Sequence, residues 1–269
     1  MSRNFNENTR VQVPAALHLC KLGYTYLDKI EKYDHSTNIL TDIFLSQLAK
    51  LNPSLSEQDC KNYLTKLIGC LNNEDLGKEF YSYLSTKSGI RLIDFDNPEN
   101  NTWHVTTEFT CENEDTKDNF RPDITCFING LPLAFIEVKK PNNHEGMKAE
   151  FDRTNARFKN KAFRRFFNIT QLMIYSNNQE YDNNNRVPVQ GAFYCCTAKE
   201  KAFYNVFREQ DKNFVVKYAY EQITDDIVKK VCRHRNCQAL PSLPEFITNC
   251  KIDTPTNRIL TSMLCKERI

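Results

Sequence analysis

Apolar residues along this chain recur at two periods, and the switches between the periods mark out the elements. Residues 14–22 carry Leu17, Leu19 and Leu22 on one helical side, with Gly23 as a C-terminal stop, and residues 24–27 read as a first strand. Helical spacing then dominates 38–51 (Ile39, Leu40, Ile43, Phe44, Leu48), 57–71 and 74–85, the second stretch opened by Ser56 and Asp59 in a capping-box arrangement. These three helices predict an insert over 35–88, either a packing layer against one side of a sheet or a docking surface for a partner. Alternation of period two returns at 90–95 and 103–110. In the second of these, Trp103, Val105, Thr107 and Phe109 share one face and His104, Thr106 and Glu108 the other. Further on, 148–166 reads as one amphipathic helix, 169–176 and 189–196 as strands, and 198–210 as a helix. A last helix is opened by Thr254 as N-cap and Pro255 at its first position. Its apolar face, Ile259, Leu260, Met263 and Leu264, is expected to need a neighbour or a continuation of the chain. The pattern as a whole predicts an α/β fold, a central mixed sheet flanked by helices.

The stretch over 121–142, RPDITCFINGLPLAFIEVKKPN, is the most informative. Apolar arms on both sides of Asn129-Gly130 make it a hairpin. Strand alternation puts Glu137 and Lys139 on one face, with Val138 opposite. Asp123 joins that face only if the connection shifts the pairing. A two-residue turn with regular pairing would set Asp123 against Ile136, on the wrong side. The expectation is therefore a three-residue loop of Ile128, Asn129 and Gly130, pairing Phe127 with Leu131 and Asp123 with Phe135.

Two carboxylates and an ammonium on one sheet face suit a divalent cation and a phosphodiester. Asp123 and Glu137 would hold Mg²⁺ through hard oxygens. Lys139 would orient or deprotonate the attacking water and offset charge on the phosphate. The E-x-K triplet alone is also met as a solvated charge pair; here it ends a run, LPLAFI, that should be buried. Glu108 either turns towards this site or is solvated.

Net charge changes the picture only locally. Over the whole chain of 269 residues it is +2, so no global basic field marks a nucleic-acid binder. Residues 139–165, however, hold nine Lys or Arg against three Asp or Glu, a local +6. Arg153, Arg157, Lys161 and Arg164 are expected to form a stripe on that helix that neutralises DNA phosphates, or else an ordinary solvated face. Eleven cysteines without zinc spacing point to reduced thiols. A polar N-terminus and no apolar run near 18 residues disfavour secretion and membrane spanning.

The hairpin resembles the N-terminal nuclease domain of the restriction (R) subunit of type I restriction-modification enzymes. Arg121, Asp123, Asn129, Gly130, Leu131, Pro132, Leu133, Ile136, Glu137, Lys139 and Pro141 carry the match, with looser likeness over 9–27 and 103–110. The resemblance implies a PD-(D/E)xK fold with Asp123, Glu137 and Lys139 as catalytic residues. It also implies Mg²⁺-dependent cleavage of double-stranded DNA, with Mn²⁺ as a substitute. The modification and specificity subunits would be its partners, in a bacterial or archaeal cytoplasm. ATP belongs to that family's translocase, and this chain has no P-loop pattern. On this reading 1–253 form the nuclease domain and 254–269 begin a helix towards a downstream region. Two departures stand out. The family's Q-x-x-x-Y motif is matched literally at Gln171 to Tyr175, in a predicted strand rather than a helix. At the upstream acidic position the nearest candidate is Gln12, so no acid is assigned there. The alternative function is a non-catalytic module docking a restriction motor to its partner subunits.

Overall fold

The computed structural model describes residues 7, 11–85, 89–112, 119–141, 143–180, 182, 184, 191–198, 201–206, 223–234 and 254–266. Eight α-helices among these residues are α1 (Val13–Lys21), α2 (Thr41–Leu51), α3 (Glu57–Cys70), α4 (Lys78–Leu84), α5 (His144–Lys159), α6 (Arg164–Ile169), α7 (Asp225–His234) and α8 (Pro255–Leu264). Seven strands pair in chain order into one mixed sheet: β1 (Thr25–Tyr26), β2 (Trp103–Thr107), β3 (Ile124–Ile128), β4 (Leu131–Val138), β5 (Leu172–Ser176), β6 (Ala192–Ala198) and β7 (Lys201–Val206). The pairs β1/β2 and β4/β5 are parallel and the rest antiparallel. A parallel neighbour requires a crossover, which α5 and α6 supply between β4 and β5.

All eight residues of β4 are buried, which explains why its sequence is nearly continuous in apolar character. Its two faces feed two cores. Ala134, Ile136 and Val138 join Ile124, Cys126 and Ile128 in a core shared with α1 and α8. Phe135 joins Phe127, Tyr175 and Phe193 in an aromatic core covered by Met147 of α5 and by Phe166 and Phe167 of α6.

The hairpin corrects one expectation. Ile128 pairs with Leu131, so the turn has two residues, Asn129 (φ 50) and Gly130 (φ 80), not three. Side-chain bonds hold Asn129 in the left-handed region: its Nδ2 donates to Leu92 O and Asn101 Oδ1, both at 2.8 Å, and its Oδ1 accepts from Thr102 N–H. At Gly130 a Cβ would stand 2.7 Å from Leu40 O, so the start of α2 can close on the turn only over glycine. The pairing then slips by one residue. Phe127 opposes Pro132 but Cys126 opposes Ala134, leaving Leu133 as a β-bulge.

The helical insert forms as expected, with the reciprocal Ser56–Asp59 bonds at the start of α3. Residues 90–95, in contrast, are not a strand. Their backbone is bonded by side chains instead of a ladder: Asn52 grips both the N–H and the carbonyl of Arg91, and Asn101 does the same at Asp94. The helix expected over 198–210 is replaced at Lys201–Val206 by β7, where pairing with β6 overrides local propensity; 207–210 lie outside the described residues. The single helix expected over 148–166 is divided at Asn160, whose extended backbone ends α5 and whose side chain caps Ala162 N–H. Finally, the face of α8 is not unpartnered. Ile259, Leu260 and Leu264 are buried in the first core, and Thr261 Oγ1 lies 2.8 Å from His18 Nε2 of α1. Among the described residues no helix is long and apolar enough to cross a membrane.

Candidate active site

The bulge decides the geometry of the site. Beyond Leu133 the register sets Ile124 against Ile136, which brings Asp123 opposite Glu137 on the face of the aromatic core. Asp123 Oδ2 accepts from Val138 N–H at 2.8 Å. Lys139 follows directly after β4. Its N–H donates to Ser176 O at 2.9 Å and its Nζ to Val138 O at 2.9 Å. From there the ammonium lies 3.8 Å from both Asp123 Oδ2 and Glu137 Oε2. The fold thus assembles all three residues expected from the hairpin, by a bulge rather than by a longer loop.

Burial sets the electrostatics. It pushes the Asp123 carboxyl up, with Lys139 and the Val138 N–H opposing it. Glu137, only 6 % exposed, is pushed well up by burial and then by the charges of Asp123 and Glu150. For Lys139 burial acts downward, but Asp123, Glu137, Glu150 and Glu7 outweigh it and hold the ammonium above the ordinary lysine range.

Three further residues reach the same space. Glu150 on α5 is fully buried, with Oε2 3.6 Å from Lys139 Nζ. Glu7 accepts from Lys140 N–H at 3.1 Å, and its own carboxyl is raised by burial. It lies upstream of the hairpin, where no acid was assigned; Gln12 donates from Nε2 to Asp123 O at 2.7 Å. Tyr175 stands beside Glu137 in the β4/β5 register and donates to Thr154 Oγ1 of α5 at 2.8 Å. Gln171 to Tyr175 is indeed on or next to a strand, yet its tyrosine packs against this site. A signal for Glu150 existed in the spacing of Glu150, Thr154 and Arg157, which share one side of a helix. Glu108 ends at Arg121, 3.5 Å away.

The expected basic stripe is split. Arg153 is half exposed and lies 3.0 Å from Glu150 Oε2, whereas Arg157 turns inward, 3.4 Å from Glu150 Oε1 and over the ring of Phe120 at 4.0 Å. Lys161 and Arg164 both meet Glu74, and Arg164 also donates to Asn72 O.

As a donor set, Asp123 and Glu137 fit a divalent cation. They offer hard oxygens on one sheet face, and burial disfavours their charge, a cost that a bound cation would offset. Among the described residues no group of three or more His, Cys, Asp or Glu is arranged to hold a metal ion.

Residues 4–185 match the family described as type I restriction enzyme R protein N terminus. This chain belongs to that family. The chain is also similar to type I restriction enzyme endonuclease subunits of Methanocaldococcus jannaschii. It is 28% identical to the MjaIXP subunit over 200 residues, 65% of this chain and 19% of that one. To the MjaVIIIP subunit it is 26% identical over 178 residues, 61% of this chain and 17% of the relative. It therefore spans about a fifth of the length of these relatives.

Proposed function

We propose that this chain is a DNA endonuclease module of a type I restriction enzyme, dependent on Mg²⁺ or Mn²⁺. The observation that carries the reading is the convergence of Asp123, Glu137 and Lys139 on one buried sheet face, in a chain of this family. Asp123 and Glu137 would hold the cation, which supplies a more acidic bound water and a counter-charge for the phosphate. Lys139 keeps an ammonium within reach of both carboxylates, where it orients the water and stabilises negative charge on the phosphoryl oxygens. In the hydrolysis the water oxygen bonds to phosphorus, the bond to one bridging oxygen breaks, and the products are a phosphate monoester and a free hydroxyl. Arg153, half exposed beside the site, would neutralise a backbone phosphate, and Lys161 and Arg164, which meet Glu74, would extend that contact. Target choice falls to specificity and modification subunits, and ATP use to the longer part of the relatives that this chain does not cover. The reading places the chain in a bacterial or archaeal cytoplasm.

The test is cleavage of supercoiled plasmid in Mg²⁺, by the chain itself and within the assembled restriction complex. Nicking or linearisation by the parent and none by Asp123→Ala is expected. Cleavage by Asp123→Ala at the parent's rate would overturn the proposal.

A further inference from the structure

Glu150 is the buried charge that the reading above leaves without a role. Its side chain is 0 % exposed, and an ionised carboxylate that deep in a protein persists only with opposite charge around it. Three cations supply that charge: Lys139 Nζ at 3.6 Å and Arg153 Nη1 at 3.0 Å from Oε2, and Arg157 Nη1 at 3.4 Å from Oε1. The Arg157 pair has hydrogen-bond geometry, whereas Oε2 has no hydrogen-bond partner; Arg153 and Lys139 reach it as charges, not as aligned donors. Glu150, Arg153, Thr154 and Arg157 lie at positions i, i+3, i+4 and i+7, so one side of α5 delivers all of these side chains. The Tyr175–Thr154 bond and the Tyr204–Asn155 bond fix the rotation of that helix against β5 and β7.

We infer that Glu150 is the positioning residue of this site, a counter-ion that holds the Lys139 ammonium in place from α5 and keeps Arg153 beside it, while the cation is left to Asp123 and Glu137. The inference rests on the reading of the site as a metal-dependent nuclease centre. Charge decides between this role and that of a third ligand. A divalent cation beside Glu150 would meet three positive groups within 3.6 Å of its oxygens. Beside Asp123 and Glu137, the ion-paired cation among the described residues is Lys139, at 3.8 Å. The lysine needs such a partner because its stem is long and free to rotate. Its hydrogen bond to Val138 O fixes the ammonium from one side only.

The experiment uses the full chain as parent, Glu150→Gln, Lys139→Met, the double variant, and Asp123→Ala. Calorimetry with Mn²⁺, single-turnover cleavage at saturating plasmid in Mg²⁺, and thermal melts are measured on each. Glu150→Gln is expected to bind Mn²⁺ like the parent and to slow cleavage at saturating DNA by about tenfold or more, the scale of a misplaced reacting group. That loss should vanish when Lys139 is already methionine, and the melting shift of Glu150→Gln should likewise shrink in that background, a coupling readable even if the chain alone does not cut. Loss of Mn²⁺ binding as complete as in Asp123→Ala would make Glu150 a ligand and overturn the inference. Additive effects of Glu150→Gln and Lys139→Met would overturn it too, with the nuclease reading intact. If Asp123→Ala binds Mn²⁺ as well as the parent, the metal reading itself falls and takes this inference with it.

Discussion

Asp123 and Glu137 face each other across β3 and β4 with the Lys139 ammonium 3.8 Å from an oxygen of each, and burial is the largest cause disfavouring charge on both. Their folded-state pKa values lie above those of the unfolded chain, so the pair stabilises the protein in acid and loses that contribution as pH rises through the raised values. At pH 7 without metal, Asp123→Asn should therefore melt above the parent, each kcal/mol relieved appearing as roughly 2–4 °C. The gap should close towards pH 4. Added Mn²⁺ should raise the parent's midpoint and leave the variant's unchanged; melting scans over pH, with and without metal, decide it.

Lys139 and Lys140 are adjacent but differ in surroundings. The first is nearly buried among three carboxylates, while the second has a half-buried side chain and gives its N–H to Glu7. Lys139→Ala should keep metal and DNA binding and lose about 10²-fold or more in single-turnover cleavage, the scale of one positioned acid–base group or charge stabiliser. Lys140→Ala should cut at close to the parent's rate. Equal rates for Lys139→Ala and the parent would remove Lys139 from the mechanism.

Arg153 and Arg157 should separate by phenotype. Arg153→Ala is expected to weaken non-specific DNA binding and to reduce the log–log salt slope by roughly 0.9 for each phosphate left without its cation. Arg157, packed on Phe120 and against Glu150, should act on the fold: Arg157→Ala strands a buried carboxylate and lowers the melting temperature. Filter binding across a salt series and a thermal melt distinguish the two.

His18 carries an acid sensitivity of its own. Burial, then Lys21, lowers its pKa to about 4, so the folded state prefers the neutral ring. Stability from this group is complete above the ordinary histidine value and drains away as pH falls from there through about 4, by up to about 3 kcal/mol in the acid limit. Urea midpoints between pH 7 and 4.5 should fall in the parent and fall less in His18→Gln. A parallel decline in both would assign the acid loss elsewhere.

Much of the site was legible because Asn129-Gly130, the buried run ending in Glu137 and the R-x-D text each point to one hairpin. The bulge was not legible. Leu131 to Val138 is apolar throughout apart from Glu137, so no break in alternation marks Leu133 as the unpaired residue. Residues 90–95 alternate like a strand, but the side chains of Asn52 and Asn101 bond their backbone first. The charged start of β7 reads as helix, and only its pairing with β6 makes it a strand. Glu150 is hidden because one of three acids among nine basic residues reads as surface, and Glu7 because the polar N-terminus shows no periodicity at all.

The bulge at Leu133 has a consequence for how much this hairpin can change in length. Without Leu133, regular pairing from the same two-residue turn would run Cys126 with Ala134 and Asp123 with Glu137, the partners they have now. Excising that residue thus leaves the acidic pair face to face, and thirteen or twelve intervening residues serve equally well. A residue added between Ile124 and Ile128 with no compensating bulge would instead turn Asp123 into the opposite core, among Ile124's present neighbours on α1. What the chemistry constrains is the number of paired rungs between the turn and the two acids, so relatives can drift by a looped-out residue on the β4 arm while the β3 arm stays fixed.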